Sequence, residues 1–473
     1  MIARTIAKNT FFLIFAEIIA IFLNFVLLIY LARFLGLHDF GFFMFALSFA
    51  TLFVIGTDFG LSELVVREVA RNKNLAKRYI DNILVIKTIF SVIIFALIFL
   101  MILLLQKSEA VLLLVLMASL YIVFNSFSGF FRGIFQAFEQ MEYIAITRLL
   151  QSFLLFGITL YVLFSPLYAN KLFFVFLAFV FSSLLAFLLT SFLVRKKFAK
   201  FHIRIDFSFW RKILHETWPF GLASIFSLIY FYLPTVFLSF IKGDASVGLF
   251  SAAFNLIFGL YFIPLMFASA IFPALSNSFK KSKKTLAKIY QKSIMFMYLL
   301  SLPFAVFTFL LSEEIIVFLY GQEFFEAKIV LQTLSFVLLL KYTSIIAGTF
   351  LSSINEQRKR MTAQGIAAFF CLISSIVLIY FFDFFGAAVS ILLTELLLFG
   401  LYFWFATRFQ KSGLRKKFVK PLIAIGASIL FILTFRFLNV LILLVISLII
   451  YFVLLLFLNV VSAKDLNLIR VQK

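Results

Sequence analysis

The chain is poor in the residues from which soluble enzymes are built. Charged residues make up 13% of its 473 residues, about half the share found in a soluble domain, whereas 64% of the residues are hydrophobic. So little polar sequence cannot cover a water-soluble core, which excludes a cytosolic enzyme. The single cysteine, Cys371, lies inside an apolar run, so an intramolecular disulfide and a multi-cysteine metal site are also excluded.

Motifs for catalysis, cofactors and metals are missing as well. No G-x-x-x-x-G-K phosphate loop occurs, so ATP hydrolysis by this chain is not expected. His215 and Glu216 begin like a zinc-protease helix, but Pro219 occupies the position of the second histidine. The remaining histidines, His38 and His202, are too scattered to form a ligand set. We therefore expect no enzymatic activity, no cofactor and no metal site.

What the sequence has in abundance is apolar runs of about 20 residues, the length that crosses a bilayer. The first run follows Arg4 and Lys8, as a signal peptide would, but it contains Glu17 and Asn24 and a second run follows it. We interpret it as the first of about fourteen transmembrane helices. The predicted spans are 11–32, 40–57, 82–105, 110–131, 149–164, 171–194, 218–240, 247–273, 293–311, 329–351, 361–382, 384–405, 421–437 and 439–459.

The distribution of lysine and arginine orients these spans. With the N-terminus inside, the inner segments carry 34 of the 42 Lys and Arg residues and the outer loops carry 6. The predicted protein is therefore multi-pass in the cell membrane, with both termini in the cytoplasm. The same distribution explains the net charge of +22 without nucleic acid, because inner basic clusters lie beside anionic headgroups.

The two halves of the chain resemble each other. Spans one to six begin at positions 11, 40, 82, 110, 149 and 171, and spans seven to twelve follow at a nearly constant offset, at positions 218, 247, 293, 329, 361 and 384. Since six is even, both halves enter the membrane from the cytoplasm, which predicts a parallel repeat about an axis along the membrane normal. The expected fold is all-α, with six-helix bundles at 1–200 and 201–410, and two additional helices and a cytoplasmic tail at 411–473. The alternative is that any row of apolar helices looks periodic.

Ionisable residues inside predicted spans are costly, about 2.5 to 3.5 kcal/mol each near the bilayer centre, and so are candidates for function. Four qualify: Glu17, Lys87, Lys341 and Glu395. Counting depth at about 1.5 Å per residue pairs Glu17 with Lys87 near the inner surface and Lys341 with Glu395 near the midplane. Each pair could handle substrate or protons in a cavity wall, or could be a structural ion pair. Asn24, two turns after Glu17, extends a polar stripe or makes one interhelical hydrogen bond.

Five of the seven prolines lie in or beside predicted spans seven to nine. Pro264 and Pro234 lie within predicted spans, and Gly259 precedes Pro264. A proline inside a helix frees a carbonyl and bends the axis. We therefore predict hinges at Pro234, Gly259 and Pro264, with static kinks as the alternative.

Several short motifs are spread along the chain: Ala32-Arg33-Phe34-Leu35-Gly36, Phe40-Gly41, Asp58-Phe59-Gly60-Leu61, Arg67-Glu68, Leu319-Tyr320-Gly321-Gln322-Glu323-Phe324 and Phe385-Gly386-Ala387-Ala388. Together they resemble the polysaccharide flippases of the multidrug/oligosaccharidyl-lipid/polysaccharide exporter superfamily. The resemblance implies a fourteen-helix fold and transfer of a polyprenyl-pyrophosphate glycan from the cytoplasmic to the outer leaflet. It also implies a cationic cavity and, in some members, an ion gradient, with H⁺ or Na⁺ as the candidates.

A pyrophosphate head requires positive charge, but the four intramembrane charges cancel. Phosphate contacts are therefore expected from basic residues at the cavity mouth: Arg33, Arg132, Arg148 and Arg358. Three alternatives stay open: an ion-coupled multidrug exporter, a peptidoglycan-precursor flippase and a purely structural membrane protein. A membrane glycosyltransferase is disfavoured because the longest outer loop, 312–328, is short.

Overall fold

The computed structural model describes residues 2–104, 109–198, 205–407, 409 and 419–458. Within these ranges every regular element is helical, which confirms the all-α prediction. The α-helices are α1 Ile2–Asp58, α2 Leu61–Arg71, α3 Ala76–Leu104, α4 Glu109–Ala137, α5 Met141–Phe164, α6 Lys171–Lys197, α7 Phe207–Lys242, α8 Asp244–Leu260, α9 Phe262–Lys281, α10 Lys283–Leu310, α11 Ser312–Tyr320, α12 Ala327–Ser353, α13 Gln357–Thr407, α14 Val419–Thr434 and α15 Val440–Phe457.

The helices are those of a multi-pass membrane protein. In the described part of the chain, ten helical stretches are long and apolar enough to cross a bilayer. Large apolar side chains on the helices, such as Phe22, Val92 and Leu430, are more than 60% exposed, which suits a surface that contacts lipid tails.

The chain forms two compact units. Unit 1 is Met1–Ser251 and unit 2 is Ala252–Lys473. The predicted bundle boundaries at 200/201 and 410/411, and the predicted cytoplasmic tail beyond 459, lie outside the described residues.

Two of the longest helices contain a break at a predicted loop. In α1 the backbone leaves helical geometry at Gly36, between predicted spans 11–32 and 40–57. In α13 it does so at Asp383, between predicted spans 361–382 and 384–405. The two parts of α13 then contact each other, because the Ser390 hydroxyl lies 2.7 Å from that of Ser374. Conversely, predicted span 247–273 is divided at Tyr261 into α8 and α9.

Repeat-related glycines in unit 1 share an unusual backbone. Gly36 and Gly243 precede predicted spans two and eight at the same spacing, and they have φ of 75° and 94° with ψ of 179° and 175°. Side chains rarely adopt this conformation, so glycine is required at both turns. Five positions further on, Gly41 and Gly248 lie in helices where a Cβ would overlap another backbone. At Gly41 it would meet the Asp244 carbonyl oxygen, and at Gly248 the Leu37 carbonyl oxygen.

These two contacts are reciprocal. Gly41 lies against Asp244, the first residue of the helix that contains Gly248. Gly248 lies against Leu37, the first helical residue after the break that precedes Gly41. A two-fold relation between two segments produces contacts of this form. The reciprocity supports the repeat predicted from the near-constant offset between the two sets of spans.

Unit 1 has its apolar core around α2, α3 and α4, joined by the start of α7. Asp206 begins α7 by accepting a hydrogen bond from the Phe209 amide at 3.0 Å, and it binds Arg78 of α3 at 3.0 Å. Hydrogen bonds from Ser208, the Phe209 amide and Arg78 lower the pKa of Asp206 to about 2. The carboxylate therefore stays charged at physiological pH and keeps α7 attached to α3.

Unit 2 has one apolar core in which α10 packs against α14 and α15 and another in which α12 packs against α13. The outer edge of the first core carries an ion pair, Arg436–Glu314, at 2.7 Å. The buried Tyr320 connects α11 to α8, because its hydroxyl donates a hydrogen bond to the Ala252 carbonyl at 3.0 Å.

The close contact at Gly41 can be tested by comparing substitutions at a crowded glycine and at an open one. We expect Gly41→Ala to destabilise the protein by roughly 1 to 3 kcal/mol or more, because its Cβ would overlap the Asp244 carbonyl. Gly129→Ala is the matched control, since a Cβ there has no heavy atom within 4 Å and alanine favours helix. The midpoint of thermal unfolding in detergent should fall for the first variant and stay level or rise for the second. Equal midpoints would contradict the close approach.

Candidate functional site

The predicted pair of Lys341 and Glu395 is confirmed. Lys341 Nζ on α12 donates to Glu395 Oε1 on α13 at 2.5 Å. The two residues are 7% and 1% exposed, so both charges are removed from solvent. The calculated depth in the membrane predicted this pair correctly because α12 and α13 pack against each other in one core. Residues at the same depth on these two helices can therefore face each other.

Other polar side chains lie near the Lys341–Glu395 pair. Lys341 Nζ lies 5.6 Å from the ring centroid of Tyr261, the residue between α8 and α9. On α13, one turn before Glu395, the Ser390 hydroxyl lies within 2.9 Å of the hydroxyls of Ser374 and Ser375. Among the described residues, the buried Glu395 Oε2 has no hydrogen-bond partner. Such an unsatisfied buried oxygen is unusual in proteins.

The predicted pairing of Glu17 with Lys87 is wrong. Lys87 on α3 is fully buried and forms an ion pair with Asp58, and it also donates to the Ser126 hydroxyl at 2.9 Å. The predicted spans leave Asp58 in the loop after span two. In the structure α1 extends to Asp58, which brings its carboxylate to Lys87. The hydroxyl of Ser62 donates to the same carboxylate at 2.6 Å, which ties the start of α2 to the pair.

Glu17 binds a different cation, one that was predicted as a phosphate contact. Arg148 on α5 donates to Glu17 Oε1 at 3.0 Å, and both side chains are about one-third exposed. Asn24 donates to the Ala20 carbonyl of its own helix at 2.9 Å. Glu17 and Lys87 were paired because they have the same calculated depth in the membrane. The rotation of α1 about its axis instead directs the Glu17 carboxylate toward α5.

Arg132 is the most buried of the four predicted phosphate contacts. It is 9% exposed and donates to Gln151 Oε1 at 2.5 Å, and Gln151 in turn donates to Asn125 Oδ1 at 2.6 Å. Within the described part of the chain, the buried Arg132 Nε has no hydrogen-bond partner. These bonds hold the guanidinium in place but leave one donor unused.

Arg132 lines a cavity of about 380 Å³ between α2, α4 and α5, which we call the arginine cavity. Its other lining residues are Ser62, Glu63, Val66, Arg67, Gly129, Gly133, Gln136 and Ile144. The volume lies within the range of small-molecule sites, about 300 to 1,000 Å³. Arg67 is already engaged by Glu68 and Glu216, each at 2.8 Å, so Arg132 is the cation with spare hydrogen-bonding capacity on this wall.

The remaining predicted residues are two arginines and the three predicted hinge residues. Arg33 and Arg358 are exposed on α1 and α13. Pro234 is buried within α7, whereas Gly259 and Pro264 flank the Tyr261 turn between α8 and α9. The roles of these residues as phosphate contacts and hinges stay predictions.

Sequence reasoning missed several polar residues that the fold brings to the predicted ones. They are Asp58, Ser62 and Ser126 around Lys87, and Asn125 and Gln151 around Arg132. Asp58 could have been found, because it lies one residue beyond a predicted span whose boundary was approximate. The hydroxyl and amide partners carry no comparable signal, since such residues are common in membrane helices.

The buried pair allows a test of its structural contribution. Glu395→Leu should lower the free energy of unfolding by about 3 to 5 kcal/mol, because it leaves the Lys341 ammonium buried without a counter-charge. The double variant Lys341→Leu, Glu395→Leu should recover most of that loss, since no charge remains unpaired. Unfolding in detergent for the single and double variants measures both effects. A double variant as unstable as Glu395→Leu would show that the lysine is not the partner that matters.

Comparison with known proteins agrees with this architecture. The family model described as polysaccharide biosynthesis protein matches residues 6–279, and the MatE model matches residues 219–381. The capsular polysaccharide biosynthesis protein CapF of Staphylococcus aureus is 24% identical over 405 residues, which cover 85% of this chain and 99% of CapF. The probable low-salt glycan biosynthesis flippase Agl15 of Haloferax volcanii is 26% identical over 170 residues, 36% of each chain.

A solved structure shares the fold. The inward closed conformation of the lipid II flippase MurJ superposes with a TM-score of 0.75 at 16% identity, covering 93% of this chain and 97% of MurJ. At that identity the likeness concerns the fold alone. The polysaccharide biosynthesis model, in contrast, spans more than half of the sequence and confirms the resemblance found in the short motifs. This chain belongs to the polysaccharide biosynthesis protein family of the multidrug/oligosaccharidyl-lipid/polysaccharide exporter superfamily.

Proposed function

We propose that this protein is a flippase for a lipid-linked oligosaccharide. It moves a polyprenyl-pyrophosphate glycan from the cytoplasmic to the outer leaflet for surface polysaccharide or glycan biosynthesis, without covalent chemistry. The observation that carries the proposal is membership of the polysaccharide biosynthesis family over residues 6–279. It is supported by the names of two relatives, a capsular polysaccharide biosynthesis protein and a probable glycan biosynthesis flippase.

The transport path in this proposal follows from the predicted repeat. Fourteen spans form two six-helix bundles about a pseudo-two-fold axis, with two further helices after them and both termini in the cytoplasm of the cell. Alternating access then exposes the glycan head to one side and then the other, while the lipid tail stays in the bilayer. The breaks at Gly36 and Asp383 and the reciprocal glycine contact support this arrangement.

Arg132 is the residue that we assign to the phosphate groups. Its guanidinium is buried, is oriented by Gln151 and keeps an unused donor at the arginine cavity. A guanidinium binds phosphate oxygens through charge-assisted hydrogen bonds of defined geometry. Arg148 and the exposed Arg33 and Arg358 would add attraction for the anionic head group, and Arg148 would have to leave Glu17 to do so.

Ion coupling is assigned to the Lys341–Glu395 pair. A proton or a cation on the unpartnered Glu395 Oε2 would weaken the hold of Glu395 on Lys341 and so loosen α12 from α13. A gradient of H⁺ or Na⁺ could drive the transport cycle through this step. Glu17 and Asn24 lie on a partly exposed face of α1 and are the second candidates.

A small-molecule exporter is the second candidate function, favoured by the MatE match over residues 219–381. A peptidoglycan-precursor flippase is also compatible with the fold shared with MurJ. The substrate separates these alternatives: a glycan on a polyprenyl pyrophosphate, an organic cation, or lipid II.

Flipping in liposomes tests the proposal. Purified protein is reconstituted with a fluorescent polyprenyl-pyrophosphate oligosaccharide, and loss of probe from one leaflet is followed with and without a proton or sodium gradient. We expect protein-dependent flipping that a gradient accelerates. Efflux of a cationic dye without flipping would favour the exporter, and flipping of lipid II alone would favour the peptidoglycan precursor.

The role of Arg132 has its own test. Arg132→Gln should lower the flipping rate by about tenfold to a hundredfold, because a charged hydrogen bond to phosphate contributes about 1.5 to 3 kcal/mol. Arg211→Gln is the control, since Arg211 is an exposed arginine of the same unit. A rate of Arg132→Gln equal to that of the control would remove Arg132 from the phosphate site.

A further inference from the structure

Pro264 leaves one backbone carbonyl of α8 without its helical partner. In a continuous helix the Leu260 carbonyl would accept from the amide of residue 264, but proline has no N–H. The chain turns at Tyr261, whose φ of −68° and ψ of −17° are still near helical values, so the axis bends without being interrupted. The hydroxyl of Tyr342 on α12 donates to the Leu260 carbonyl at 2.9 Å. The missing backbone donor is thus replaced by a side chain of another helix.

The same replacement occurs at a second proline. Pro303 lies inside α10 and frees the carbonyl of Leu299. The hydroxyl of Tyr451 on α15 donates to that carbonyl, again at 2.9 Å. Both tyrosines are 0% exposed. Two of the prolines in unit 2 are therefore matched by buried tyrosines from distant helices.

Tyr342 is adjacent in sequence to Lys341. Successive residues of a helix point about 100° apart, so α12 presents Lys341 to Glu395 on α13 and Tyr342 to the end of α8. The Tyr261 ring at the bend lies 5.6 Å from the Lys341 ammonium. The ion pair and the bend are therefore parts of one buried cluster in unit 2, connected through two neighbouring residues of α12.

We propose that Tyr342 is a positioning residue for transport, which sets the angle between α8 and α9 and connects that angle to the Lys341–Glu395 pair. An ordinary helical hydrogen bond moves with its own helix. The Tyr342 bond instead ties the bend to α12, so any rotation of α12 that follows a change at Glu395 must pull on the Leu260 carbonyl. The part of this proposal that concerns transport rests on the flippase function proposed above.

Three variants test the connection in the full-length protein with Cys371 replaced by alanine. They are Tyr342→Phe, Pro264→Ala and the double variant Tyr342→Phe, Pro264→Ala. Alanine at 264 restores an N–H to the Leu260 carbonyl, so the hydroxyl of Tyr342 is no longer needed there. Tyr290→Phe is the matched control, because Tyr290 is a buried tyrosine of the same unit whose hydroxyl has no hydrogen-bond partner among the residues that the structure describes.

Two readouts are needed, one of geometry and one of transport. Spin labels on cysteines at the exposed positions Phe258 and Asn277 report the distance between α8 and α9 in liposomes, with no substrate present. We expect Tyr342→Phe to shift or broaden this distance and to slow flipping about tenfold. Tyr290→Phe should match the wild type in both. The double variant should equal Pro264→Ala in both, because tyrosine and proline act on the same carbonyl.

Glu395→Gln tests the connection to the ion pair. Removing the negative charge should shift the Phe258 to Asn277 distance in the wild-type background but not in the Tyr342→Phe background. An unchanged distance in Tyr342→Phe would overturn the role of Tyr342 at the bend. So would a Tyr342→Phe substitution that slows flipping equally in the wild-type and Pro264→Ala backgrounds. An unchanged distance in Glu395→Gln would overturn the connection. Because the distance needs no glycan, a wild type that fails to flip the probe would count against the flippase function alone.

Discussion

A polar group buried in an apolar helix bundle is costly unless it finds a partner within the protein, because lipid offers no water to replace one. In this chain that constraint decides which helices are tied together. Lys341 and Glu395 join α12 to α13, Lys87 and Asp58 join α3 to the end of α1, and Tyr342 joins α12 to the bend between α8 and α9. Apolar contacts fill the space between helices, but these bonds fix the register in which the helices meet.

The sequence predicted the helical class, the breaks near Gly36 and Asp383, and the Lys341–Glu395 pair. These features depend on hydropathy, on the length of a bilayer span and on depth, all of which are properties of one helix at a time. The mistaken pairing of Glu17 with Lys87 shows the limit of depth. The rise of a helix gives the height of a side chain in the membrane but not the neighbour that its helix turns it toward.

The same limit applies to the candidate site. A carbonyl freed by Pro264 could be predicted from sequence, but the tyrosine that satisfies it lies far along the chain, on another helix. The burial of Arg132 likewise depends on Gln151 and on the packing of α2, α4 and α5, none of which leaves a pattern in the sequence. Contacts that depend on how two helices are rotated toward each other therefore required the structure.

The two units carry different kinds of polar site. In unit 1 the arginine cavity is open and the Glu17–Arg148 pair is partly exposed, so these groups are available to a ligand. In unit 2 the Lys341–Glu395 pair and the tyrosines Tyr342 and Tyr451 are buried. Under the proposed function, substrate contact would lie in unit 1 and control of helix geometry in unit 2.

The reciprocal contact of Gly41 and Gly248 also bears on the origin of the chain. Two copies of one polypeptide related by a two-fold axis make every off-axis contact twice, once from each side. A half-length ancestor that paired with itself through a glycine and the backbone at the start of the partner's helix would already contain this contact. Gene duplication would then have joined the two copies while keeping both glycines, which accounts for the equal spacing from Gly36 to Gly243 and from Gly41 to Gly248. In this history, the present chain preserves the interface of a homodimer.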